Sequence, residues 1–135
     1  MTSQLNVDTI KGQTSETSVT IQGEGSATTN LQQGLAKVWC SATISSNTHT
    51  IQDRLNVASL TDGGTGITSV VITNDMNNDD YSVSACLGID GARLFANLNA
   101  NSDVTTGSYK MNSSNHAGGF EDYDVFGSSI HGDLA

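Results

Sequence analysis

A chain of 135 residues is one domain's worth with room for a short appendage, and 5 Lys and Arg against 14 Asp and Glu leave a formal charge of −9. That balance excludes the basic stripe a nucleic-acid binder needs and disfavours docking on an anionic membrane surface. Ser, Thr, Asn and Gly dominate, and Leu, Ile, Val and Phe reach only about 21%, just above the ~20% at which disorder becomes the default, so the core should be thin and supplemented by contacts between subunits.

The first 36 residues read as a short extended segment for oligomerisation or anchoring. Leu5, Val7 and Ile10 make one apolar pattern, Val19 and Ile21 repeat it after a polar stretch, and residues 23–26 form a turn or linker. Two hairpin-like pieces of this kind carry almost no core and need a partner surface. Residues 31–37 hold the best helical candidate, one or two turns at most.

From residue 37 to 135 the pattern becomes one of regular short strands. With no proline in the chain, its turns must come from Gly, Asn and Asp. A strand is predicted over 38–44 and a turn over 45–47. Residues 54–61 alternate with Leu55 and Val57 on one face, and residues 62–66 make a glycine turn able to take positive φ. A β-branched strand follows at 67–73, then a polar loop at 74–80. Tyr81, Val83, Ala85 and Leu87 then alternate with small polar residues, the clearest period of two in the chain. After a turn at Asp90-Gly91, residues Ala92, Leu94, Ala96 and Leu98 share one face of another strand. Residues 104–111 form a further strand, 112–119 a long loop and 123–131 the last strand. About seven short strands with turns at roughly ten-residue spacing indicate an all-β fold, an antiparallel β-sandwich or barrel-like domain.

Few residues are arranged for chemistry. His49, His116 and His131 do not pair at ligand spacing, and Cys40 with His49 lacks the further partners zinc requires. Cys40 and Cys86 sit in apolar strand patterns, which favours buried free thiols and leaves a disulfide open. Residues 63–66 are no phosphate loop, since no Lys-Ser/Thr follows. Asp75, Asp79 and Asp80 crowd oxygen ligands into one loop, but their spacing is not that of a calcium loop, and a solvated turn is the plainer reading. Glu121, Asp122 and Asp124 could supply the carboxylate pair of a small glycan hydrolase, although so thin a core has little material for a cleft. The expectation is therefore a protein without enzyme activity, metal or cofactor. What remains is a binding surface. Tyr109, Phe120 and Tyr123 flank the loop that carries Asn112, Asn115 and His116. Rings can stack on a sugar face while amides bond to its hydroxyls, and loops on a rigid scaffold are where function concentrates. These six form the candidate receptor-binding set, with a core role as the competing reading for each ring.

Several segments resemble a known family. Ala36-Lys37-Val38-Trp39, then Leu55-Asn56-Val57-Ala58-Ser59-Leu60-Thr61-Asp62-Gly63-Gly64-Thr65-Gly66, then Met76 and Tyr81, are similar to the C-terminal domain of bacteriophage tail-fibre proteins. The close, Ile130-His131-Gly132-Asp133-Leu134-Ala135, is also similar to the ending of such proteins. The opening, Gln4-Leu5-Asn6-Val7-Asp8-Thr9-Ile10, resembles the start of short virion proteins from phages of marine cyanobacteria and related hosts. The Asn-Val to Gly-Thr-Gly stretch is the specific part. The resemblance implies a non-enzymatic virion component, β-structured and usually trimeric, placed at the particle surface to touch the host. On that reading residues 1–36 join the chain to its own copies and to other virion proteins. Residues 37–135 face a host-surface glycan or outer-membrane component, as a tail fibre, an adhesin or, alternatively, a capsid decoration or head fibre. Met1-Thr2-Ser3-Gln4 has neither the basic nor the apolar pattern of a secretory signal. Synthesis is accordingly expected in the host cytoplasm, without nucleic-acid binding or membrane insertion.

Overall fold

The computed structural model of the chain describes residues 5–13, 19–22, 26, 28–88, 94–98 and 103–134, and these fall in two units, Met1–Leu35 and Ala36–Ala135. In the first unit, β1 (Thr20–Gln22) pairs antiparallel with β2 (Thr28–Asn30), and Ile21 lies opposite Thr29. One helical turn, α1 (Leu31–Gly34), follows, and the Leu31 N–H donates to the Val19 carbonyl at 2.9 Å. Among the described residues, 5–13 join no ladder. An extended segment becomes a strand only when a neighbour takes up its backbone groups.

The second unit begins with a hairpin of β3 (Val38–Ser45) and β4 (Thr48–Leu55). Ser46 and Asn47 close it at φ 48° and 64°, the doubly positive backbone that lets a two-residue turn follow the twist of its strands. Asn56, at φ 58°, then carries the chain out of this sheet. Its side chain holds the corner: Oδ1 accepts the Asn74 N–H at 2.8 Å and Nδ2 donates to the Asn74 carbonyl at 3.0 Å. The single strand expected over 54–61 is therefore two strands in two sheets.

Beyond the corner run β5 (Val57–Asp62), β6 (Ile67–Ile72), β7 (Ser82–Gly88), β8 (Leu94–Leu98), β9 (Val104–Thr105), β10 (Ser108–Asn115) and β11 (Val125–His131). One sheet has the order β4-β3-β11-β7 and the other β5-β6-β10-β8, with β9 also paired to β10. Every pairing is antiparallel, and the unit is an all-β antiparallel sandwich. The strand expected over 104–111 is interrupted by a turn at Thr106-Gly107. Residues 112–115, expected in a loop, continue β10. The turn at Asp90-Gly91, Ala92, and residues 23–25 lie outside the described residues.

Alternate side chains of the two sheets meet in the core: Val38, Cys40 and Ala42 from β3, Phe126 and Ile130 from β11, Val70 and Ile72 from β6, Tyr109 and Met111 from β10. Met76 joins them from the polar 74–80 loop, 1% exposed and bridged to Leu134. Polar groups cross the same space. The Tyr109 hydroxyl lies 2.6 Å from Ser128 Oγ, which lies 3.4 Å from Cys40 Sγ, so these buried groups satisfy one another across the sandwich. Burial pushes the Cys40 thiol up, against the hydrogen bond from Ser128. Both cysteines are free, and Cys86 is exposed rather than buried as expected. Gly127 sits opposite it on β11, on the face turned from the core, so alternation along β7 places the thiol outward. Just before β3, Lys37 is buried. Desolvation lowers its pKa, and nearby Asp133 opposes that shift.

Candidate functional site

Three connections meet at one place on the sandwich unit. The β3–β4 turn supplies Asn47, with His49 just inside β4. The β5–β6 turn supplies Asp62, Gly64 and Gly66. The β10–β11 connection supplies Asp122 and Tyr123. Together with Ile44, Ile67 and Thr68 they line a cleft with room for about one water molecule. Backbone conformation builds its rim. Gly64 and Gly66 take φ of 111° and 68°, a region open to glycine and costly for other residues. A Cβ at Gly66 would also come within 2.9 Å of the Glu121 backbone and of Ser113 Oγ.

The two carboxylates are oriented by that backbone. Asp62 Oδ1 accepts the Gly64 N–H at 2.8 Å, and Asp122 Oδ1 accepts the Gly66 N–H at 2.6 Å. Behind them runs a hydrogen-bonded chain from one sheet to the other. His49 Nε2 is 2.7 Å from Thr68 Oγ1, and Thr68 Oγ1 bonds in turn to the Tyr123 hydroxyl. Burial pushes Tyr123 up to about 12; the bond with Thr68 opposes this, and the charges of Asp122 and Asp62 add to it. Its ring stacks on Phe126 with centroids 6.1 Å apart. The other ring nitrogen, His49 Nδ1, is shut off from solvent and has no hydrogen-bond partner.

The six expected receptor residues separate into two groups. Tyr109, Tyr123 and Asn112 are 0%, 4% and 7% exposed and are corrected from surface to interior. Tyr109 and Tyr123 point between the sheets and spend their hydroxyls on Ser128 and Thr68, and Asn112 lies within β10 rather than on a loop. Asn115, His116 and Phe120 remain at the β10–β11 connection. Asn115 is half-buried. Its Oδ1 accepts the N–H groups of Ala117 and Gly119, both at 3.0 Å, which shapes the turn. His116 is exposed, and Phe120 is 53% exposed.

Of the three carboxylates weighed for hydrolysis, Asp122 lines the cleft. The Glu121 carbonyl accepts from Ser113 Oγ. The Asp124 backbone bonds to both neighbours of β11 within one sheet, accepting from Ile44 N of β3 and donating to Gly88 O of β7, each at 2.8 Å. Among the described residues no group of three His, Cys, Asp or Glu is placed to hold a metal ion. Sequence reasoning missed Asn47, His49 and Asp62. The signal was the apolar Ile51 flanked by Thr and Gln, an alternation that marks 48–52 as the partner of β3 and His49 as inward-leaning. No protein-family model, curated protein or solved structure matches the chain.

Proposed function

We propose that the protein is a non-enzymatic component of a phage virion surface, a tail-fibre or adhesin subunit that assembles as a homotrimer and attaches to a host-surface glycan or outer-membrane component. The observation that carries this reading is the use made of the tail-fibre-like segment. Asn56 forms the corner between sheets, Val57 enters the core, and Asp62, Gly64 and Gly66 close the β5–β6 turn. Lys37, Met76 and Tyr81 have matching roles. Lys37 and Met76 are buried, and the Tyr81 hydroxyl bonds to the carbonyls of Thr105 at 2.8 Å and Ser108 at 3.1 Å. Several of the resembling residues thus help to shape the sandwich, and a shared motif of that kind supports a shared scaffold.

The second support is the apolar surface of residues 5–35. Leu5, Val7, Ile10, Ile21 and Leu35 are each more than half exposed in the single chain, a pattern that suits contact with further copies or with other virion proteins. The test combines particle labelling with sedimentation. Antibody raised against the chain should decorate the tails of purified phage particles, and the free protein should sediment at three times its 14.1 kDa mass. Label confined to the head would move the protein to the capsid-decoration reading. Unlabelled particles together with a monomeric chain would overturn the proposal.

A further inference from the structure

The outer face of the sheet β4-β3-β11-β7 has two halves of different shape. Val38, Cys40 and Ala42 turn into the core, so Trp39 between them turns outward, with Leu55 directly opposite it on β4. Trp39 is half-buried and Leu55 is 46% exposed, and the two make an apolar ridge on the β4–β3 side. On the β11–β7 side Gly127 lies opposite Cys86. Glycine brings no side chain, and a Cβ there would come within 2.8 Å of the Cys86 thiol. The result is a shallow, open groove of about 370 Å³ walled by Ser84, Cys86 and Ser129. Ridge and groove lie side by side, because Trp39 and Ser84 are both paired to Ser129 of β11.

Charge indicates what can cover this face. Among the described residues, the outward positions of its four strands hold one carboxylate, Asp53, and neither Lys nor Arg. Arg54 lies opposite the inward Cys40 and donates to the Ala58 carbonyl at 2.8 Å. The chain as a whole carries −9, so identical copies repel wherever their carboxylates would meet. They approach most readily through a surface nearly free of charge. Charge depletion around an aromatic anchor is also the composition of an interface core. A basic partner would gain more at the connections that carry Asp62 and Asp122. A ridge and a groove on one face cannot fill each other within a single copy. Between copies they can, and a ridge-into-groove contact that passes from each copy to the next closes as a ring.

We propose that copies of this chain meet through this face, with the Trp39–Leu55 ridge of one copy seated in the Gly127–Cys86 groove of the next. The inference rests on the homotrimer reading and adds where the sandwich units touch. Sedimentation of the full chain tests it, and the parent should run as a trimer. Leu55→Lys on the ridge and Ser84→Lys in the groove are both at exposed positions. Each should keep the parent's urea midpoint and raise the concentration needed for association roughly tenfold or more. A thiol on the ridge supplies a second readout. Leu55→Cys and the native Cys86 stand at opposite edges of the four-stranded sheet, about 14 Å apart at ordinary strand spacing, too far to join within one chain. Cys40 is buried and stays out of reach. With oxidised glutathione, two thiols lose two protons and two electrons to form one disulfide, and the oxidant is cleaved to two reduced molecules. This variant should therefore give covalent species of two and three chains on a non-reducing gel, and adding Cys86→Ser should abolish them. Unchanged association in either folded lysine variant, or no crosslink through Cys86, would overturn the contact and leave the homotrimer standing. A monomeric parent would remove both. Lysine variants that stay trimeric but lose adhesion to host cells would give the face to a receptor and overturn its use between copies.

Discussion

Ile21 and Phe126 both lie in short β-strands of the same chain, yet one is 56% exposed and the other fully buried. The two regions draw on the same vocabulary of Ser, Thr, Asn and spaced aliphatics. They differ in how many ladders enclose an apolar side chain. β1 and β2 form a two-stranded sheet that is exposed along β1, whereas Phe126 sits on a strand flanked by β3 and β7 and faced by a second sheet. An isolated hairpin is marginal in water, and three or more strands with a covered face are not. Stability in this chain is therefore expected to reside in residues 36–135, and the apolar side chains of residues 5–35 are available for association.

The sharpest way to break this contrast is Phe126→Ala. Loss of a fully buried ring stacked on Tyr123 should cost about 3–5 kcal/mol, read as a fall in the urea midpoint. A loss below about 1 kcal/mol would mean that the sandwich interior is not what holds the fold.

Alkaline pH probes the same interior through its tyrosines. Burial pushes Tyr81 and Tyr123 up to about 12, and Tyr109 is raised as well. The folded state favours the neutral phenol, so this contribution is complete below the unfolded value near 10 and is lost progressively as pH rises from there through about 12. The urea midpoint should fall above about pH 10, and Tyr81→Phe should flatten part of that slope. A midpoint that ignores pH across this window would contradict the burial of the rings.

The smallest effect is expected at the exposed strand. Ile21→Ala in the dilute chain should change stability by less than about 0.5 kcal/mol. Its effect should appear instead in sedimentation, as a shift toward monomer at the concentration where the parent chain associates. A large loss of stability in the dilute chain would show that residue 21 is already packed within one copy and would erase the contrast.

How far the fold could be read in advance varies by element. The alternation of Val83, Ala85 and Leu87 with Ser and Cys is legible because β7 has one face toward the core and one toward solvent. The 62–66 turn is legible because positive φ selects glycine. β10 beyond Met111 is not legible. Residues 112–115 are Asn and Ser, and they are strand because β8 pairs along them, with Ser113 opposite Ala96. Composition therefore assigns to a loop what a partner strand from elsewhere in the chain makes part of a sheet. The candidate site failed in the same way for Tyr109 and Tyr123, whose rings look like surface features beside polar neighbours until Ser128 and Thr68 arrive from other strands to pair with their hydroxyls.

By itself the sequence determined the class of the molecule. Period-two patterning, the absence of proline, glycine-bearing turns and a scant aliphatic content admit short antiparallel strands and little else, because backbone and side-chain sterics act within a few residues. Tertiary structure alone decided which sheet each strand joined, where Asn56 turned the corner, and which polar side chains went inside. It also decided that Asn47, His49, Asp62 and Asp122 would line one cleft. Those outcomes depend on partners brought together from distant positions, 88 residues apart for Cys40 and Ser128, and no local pattern specifies which buried hydroxyl, amide or carboxylate will find its complement.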